Sequence, residues 1–178
     1  KLTSEFTQKL SERNIEQYAV SKRHCSGTIE MFQINGKVCS SQGSYFEVYV
    51  IWKEEDTSFV KKIDNCGLYL SIPLPNHSIS EFITENHDSM KEEEVKNYEI
   101  ASQLSGPISR TTVQPCFREV SVTHANMSHN IKYNLFDLSN DGLEKNINYD
   151  YNNSLHMVML DTKISEVIKT HQNKFRRQ

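Results

Sequence analysis

Two stretches of this chain carry side chains at spacings that metal chemistry uses. The segment Asp137-Leu138-Ser139-Asn140-Asp141-Gly142 places oxygen donors at positions 1, 3 and 5 with Gly at 6, like the opening of a calcium-binding EF-hand loop. The remainder departs from that pattern. Asn148 stands where the bidentate Glu belongs, Glu144 stands at a normally apolar position, and Tyr133 to Leu138 leads in as a strand instead of a helix. An Asx-type turn, in which Asp and Asn oxygens bond nearby backbone N–H groups, is the better expectation. His124 and His129 flank a polar turn and are able to converge on a transition metal, but such a site needs a third ligand that the spacing does not supply. His124, His129, Asp137 and Asp141 are therefore the weak candidates behind one functional reading, a divalent-metal-dependent hydrolase, nucleases included. No Glu-x-Lys pair falls on a strand-like segment to strengthen the nuclease version.

Nucleophilic and nucleotide chemistry find less. The chain has no GxSxG elbow and no Gly-rich phosphate loop, and its 6 glycines are scattered at turns. His24 and Cys25 are sequence neighbours whose side chains point apart on a strand, so adjacency does not make them a dyad. No cofactor is expected.

Charge and cysteine usage bound the partners. The net charge is −3, and the one dense basic cluster is Lys174, Arg176 and Arg177, which reads as cations at a helix C-terminus. Nucleic acid is disfavoured, because phosphate dominates such binding. No apolar run approaches the roughly 20 residues that span a bilayer, and the opening KLTSEFTQKL lacks a signal-like apolar segment. The four cysteines, at 25, 39, 66 and 116, show no CxxC spacing. They read as free, mostly buried thiols, and so as a cytoplasmic chain; removal of an upstream signal would change that.

The elements that must position these residues follow from periodicity. Apolar residues are 37% and charged residues 24% of 178, enough for a core and for one α+β domain spanning 1–178. Residues 3 to 19 read as a helix through Leu2, Phe6 and Leu10, continued by Ile15 and Tyr18. From Gly27 the period becomes two, and Asn35-Gly36 closes a hairpin between Thr28–Ile34 and Lys37–Ser41, with Ile34 opposite Lys37 and Phe32 opposite Cys39. Tyr45–Lys53 and Ser58–Asp64 form a second hairpin, pairing Trp52 with Phe59 and Val48 with Ile63. A short strand, Leu68–Ile72, follows. Ser78 with Glu81 reads as a capping box opening a long helical region that Gly106-Pro107 stops. Cys116–Thr123 and Ile131–Leu138 read as strands, Leu155–Leu160 as a short strand, and Asp161 or Thr162 as the cap of an amphipathic helix through Ile164, Val167, Ile168, His171 and Phe175. The fold class is an antiparallel sheet of about 6–7 strands with an N-terminal helix, a central helical region and a C-terminal helix.

One surface stands out. Phe46, Val48, Val50 and Trp52 share one side of their strand and mark the core. Tyr45, Glu47, Tyr49 and Ile51 share the other, with Lys62 opposite Tyr49. Tyrosines interleaved with charge are typical of partner surfaces. The leading functional expectation is thus a non-catalytic binding domain that uses this face to hold another protein.

Overall fold

Asn35 and Gly36 both take positive φ, +49° and +74°, as a two-residue hairpin turn between twisted strands requires. The strands beside them, β2 (Met31–Ile34) and β3 (Lys37–Ser40), pair Ile34 with Lys37 and Phe32 with Cys39, as the turn dictates. The same holds for the longer hairpin β4 (Phe46–Glu54) and β5 (Thr57–Asp64), where Trp52 faces Phe59 and Val48 faces Ile63. These registers come from a computed structural model that describes residues 1–104, 106–125, 127–140 and 142–178.

The first element, α1, runs from Leu2 to Glu12. Asn14, at φ +57°, ends it, so Ile15 and Tyr18 do not extend its stripe. The chain continues instead as β1 (Gln17–Cys25), which carries polar residues on both faces and therefore hides its period of two. Because β1 lies between β4 and β10 (Cys116–His124), it is the centre of the sheet. The order is β11 (Met127–Asn134), β10, β1, β4, β5, and both β6 (Gly67–Leu68) and β7 (Ile72–Leu74) pair with the far side of β5. Every pairing is antiparallel. The fold is α+β.

Each face of the sheet packs a helix layer. On one face Leu2, Phe6 and Leu10 of α1 cover Val48, Val50, Trp52 and Ile63, with the Phe6 and Trp52 rings edge to face at 5.3 Å. The other face holds the larger core. There α2 (Ser78–Asn86), the 3-10 turn His87–Met90 and α4 (His156–His171) bury Tyr49, Ile51, Val60, Val120, Val122 and Ile131. Leu155–Leu160 is thus not a strand, for α4 begins at His156, directly after α3 (Tyr149–Ser154).

The central helical region is shorter than its stripe suggested. Lys91 and Glu92 make a turn, with Glu92 at φ +61°, and the chain then runs without helix past Asp137, Asn146 and Asn152 into a small hairpin of β8 (Glu99–Ile100) and β9 (Ile108–Ser109). The Ser78–Glu81 capping box does not form, since His77 is the cap and no side-chain bond closes it. Glu93 is the larger surprise. It lies outside any helix, and its carboxylate accepts the His156 and Met157 amides at 2.8 Å each and caps α4 from a distant segment.

The free-thiol expectation is overturned. Cys25 bonds Cys116 and Cys39 bonds Cys66, which leaves no free cysteine. Cys25 and Cys116 sit directly opposite on adjacent strands, a relation invisible until β1 is known to be a strand. Cys25, in β1, and Cys39, in β3, do not bond each other. The Cys25–Cys116 bridge links residues 91 apart; in the chain-entropy picture a loop of that size contributes on the order of 4 kcal/mol. Thiol counting in denaturant without reductant should therefore find none, and four after reduction. Four without reductant would restore the earlier reading.

Candidate functional site

Strand pairing assembles a row of charge that crosses the face under α4. Tyr133 of β11 lies beside Arg118 of β10, which lies beside Arg23 of β1, then Glu47 of β4, then Asp64 of β5. Two like charges stand together at each half, so each half needs a counter-ion from outside the sheet.

For the arginines that ion is Asp161, which the amphipathic stripe of α4 points at the sheet. Its Oδ1 accepts Ser21 Oγ at 2.6 Å and Arg23 Nη2 at 2.9 Å, and its Oδ2 accepts the Tyr133 hydroxyl at 2.9 Å. Arg118 Nε lies 3.5 Å from the same Oδ2, and Arg23 also donates to Ser165. The Asp161 side chain is only 5% exposed. Burial, then the neighbouring Arg23, holds the Arg118 guanidinium below its usual value.

For the carboxylates the counter-ions are Lys62, which donates to Glu47 at 2.5 Å, and Arg177. The Arg177 guanidinium makes two parallel bonds to Asp64, at 3.0 and 2.6 Å. Tyr45 and Tyr69 also donate to Asp64, and Tyr49 donates to Glu47. Burial alone would raise the Asp64 pKa, but the bonds from Arg177, the Cys66 amide and Tyr69 outweigh it and hold the carboxyl below its ordinary range. Burial and these carboxylates push the Tyr45, Tyr49, Tyr69 and Tyr133 phenols upward. They stay protonated and act as donors.

Of the residues named from the sequence, Tyr45, Glu47, Tyr49 and Lys62 do meet in one network, whereas Ile51 lies two rows away in the apolar core. The face is not open at its middle. Tyr49 is 3% exposed and Ile51 2%, and the Phe175 ring packs on Tyr49 at 5.6 Å. Sequence reasoning missed Arg23, Arg118, Tyr133 and Asp161. One signal was available, namely an Asp four residues from Met157 and three from Ile164 on the buried stripe of its helix.

The metal candidates do not assemble. The His124 ring lies against His87, centroids 4.5 Å apart, while His129 pairs across from Val122. Asp137 accepts the Tyr98 amide through its carboxylate, and its carbonyl accepts the Asn146 and Asn152 side chains. Asn146 and Asn152, both buried, tie the loop to residues 96–99 by long-range bonds, and Asn146 Oδ1 also accepts the Asn148 amide as an Asx turn does. Asp141 lies outside the described residues. Among the described residues no three His, Cys, Asp or Glu side chains are placed to hold one ion.

The opposite face is left open away from α1. There Lys22 and Lys132 flank Glu119, at 3.1 and 3.6 Å, and a groove of about 430 Å³ runs between Thr3 of α1 and Asn130 and Lys132 of β11. A second groove of about 460 Å³ follows the last residues of β11, Lys132 to Asn134, with Val95, Asn97 and Arg110 as its far wall.

Among the described residues no helix is long and apolar enough to cross a membrane. No protein-family model matches the chain, and no curated protein or solved structure matches it either.

Proposed function

We propose that this chain is a non-catalytic binding domain for a protein partner, which adds as an extended strand along β11. The observation that carries this is the unpaired edge. β11 is eight residues long, contains no proline, and among the described residues pairs only with β10. The Ala125 amide bonds the carbonyl of Glu16, the residue before β1, so odd residues of β10 direct their backbone groups to β1 and even ones to β11. Through the β10–β11 register, Ser128, Asn130 and Lys132 then direct their N–H and C=O groups outward. Chains usually blunt such an edge, and a strand-adding ligand exploits it. The two grooves that meet at Lys132 give the added strand's side chains somewhere to lie.

The tyrosine-bearing face keeps a part in this reading only through its polar end, Tyr45, Glu47 and Lys62. A hydrolase is less well supported, because the charged groups under α4 are tied to one another and the phenols there are held protonated. The two disulfides favour an oxidising compartment over the cytoplasm. The net charge continues to disfavour nucleic acid.

Selection of a displayed random-peptide library on the wild-type chain should return extended ligands. Asn130→Pro removes one outward amide and no bond to β10, so edge-strand proline should leave the melting temperature nearly unchanged. The selected peptides should bind it about tenfold more weakly, the equivalent of about 1.4 kcal/mol. Failure to select any peptide, or equal binding by Asn130→Pro, would refute the edge.

A further inference from the structure

We infer that Phe32, Asp64 and Tyr69, with Tyr45 and Glu47 beside them, form a receptor for arginine in an extended segment of a protein ligand, and that the chain's own Arg177 is its displaceable occupant. The site is distinct from the β11 edge, and the inference stands without it.

The pocket fits a guanidinium at every surface. Its floor is the Asp64 carboxylate, 0% exposed, which meets Nη1 and Nη2 in the two-pronged geometry that a planar guanidinium offers and an ammonium does not. Its walls are Phe32 and Tyr69, whose ring centroids both lie 4.6 Å from the Arg177 Cζ. Without Arg177 the Asp64 carboxylate keeps only the Tyr45 and Tyr69 hydroxyls and the Cys66 amide as donors, and among the described residues no other cation bonds it, since Lys62 is taken by Glu47. Phe32 belongs to the β2–β3 hairpin, which lies outside the main sheet. The Cys39–Cys66 disulfide ties that hairpin to the turn after β5, where the Cys66 amide donates to Asp64, and so holds one wall in place over the floor.

The backbone around the pocket is general in what it accepts. Residues 175–178 pass the Tyr69 strand as an isolated antiparallel bridge, Leu70 donating to the Arg176 carbonyl at 2.8 Å and Gln178 donating to the Leu68 carbonyl at 3.0 Å. Any extended chain makes those two bonds. Selectivity comes from alternate side chains, as in strand addition: Phe175 lies on Tyr49 and Tyr69, Arg177 fills the cage, and Arg176 between them faces solvent. The motif read is therefore an aromatic residue, any residue, then arginine. Because the occupant is tethered, its effective concentration is high, and a ligand in trans competes only when the tethered copy is weakened or the ligand is held elsewhere as well.

The test uses the 178-residue chain with Phe175→Ala and Arg177→Ala together, and the peptide acetyl-Lys-Phe-Arg-Arg-Gln-amide as probe. The double variant should bind this peptide at least about tenfold more tightly than wild type does. It should prefer it by a similar factor over the peptide whose second arginine is lysine, each tenfold being about 1.4 kcal/mol. Adding Phe32→Ala, a residue outside the sheet, should abolish that preference. A folded double variant that ignores the peptide, or takes the lysine version equally well, shows that Arg177 is an internal clasp only and overturns the proposal. Equal binding by wild type overturns the claim that the segment is a competitor. Should the double variant fail to fold, the single Arg177→Ala chain decides. Millimolar methylguanidinium must raise its melting temperature more than methylammonium does, and an equal response overturns the proposal.

Discussion

Tyr49→Ala is expected to lower the stability of the domain by about 3–5 kcal/mol, the usual cost of deleting a buried aromatic side chain. Tyr49 stands at the middle of β4 on the side that α4 and residues 175–178 cover, and it is 3% exposed. Its ring meets Phe175 edge to face, and its hydroxyl donates to Glu47 at 3.1 Å. Removing it opens a cavity between sheet and helix layer and releases one acceptor of an ion-paired carboxylate. Tyr49→Phe separates the two effects. It keeps the ring and loses only the hydrogen bond, which to a charged acceptor is worth about 1.5–3 kcal/mol. Urea titrations of the two variants, disulfides intact, measure both. A Tyr49→Ala loss of about 0.5 kcal/mol or less is what an exposed position would give, and it would mean that the face is open in solution and available as a surface.

A loss of similar size is expected from Asp161→Ala, for an electrostatic reason. Asp161 is the acceptor for Ser21, Arg23 and Tyr133, and the nearest carboxylate to Arg118 Nε. Alanine leaves two guanidiniums side by side beneath α4, with no carboxylate nearby but Glu47, which Lys62 already holds. Breaking a buried pair from one side costs about 3–5 kcal/mol, well above what the intact pair contributes, because the stranded charge has lost its water. Replacing Arg23 as well should recover part of the loss, since the variant then strands one guanidinium instead of two. A double-mutant cycle by denaturant unfolding gives the coupling directly. Additive losses at Arg23 and Asp161 would show that they do not act as one network.

What the sequence determined by itself is local. Turn chemistry at Asn35-Gly36 and the alternation of β4 and β5 set those hairpin registers, because a one-residue slip would turn every apolar side chain of the pair to the wrong face. The same logic placed Tyr45, Glu47, Tyr49 and Lys62 on one side of the sheet, correctly, yet it said nothing about what lay above them. Leu2, Phe6 and Leu10 were legible as a helix stripe, but its end at Glu12 depended on Asn14 taking a positive φ. Only the tertiary structure decided the rest. Once β1 sits between β4 and β10, Cys25 faces Cys116, Arg23 faces both Glu47 and Arg118, and the like-charged halves of that row become real neighbours. Asp161 and Arg177 then acquire their partners from 138 and 113 residues away. Such pairings carry no periodic signature, because they arise where separate elements meet and not along any one of them. The Tyr49 face is interior for the same reason. Whether a sheet side carrying tyrosine and charge is a surface or a core depends on whether a helix lands on it, and α4 lands there with a carboxylate that the arginines require.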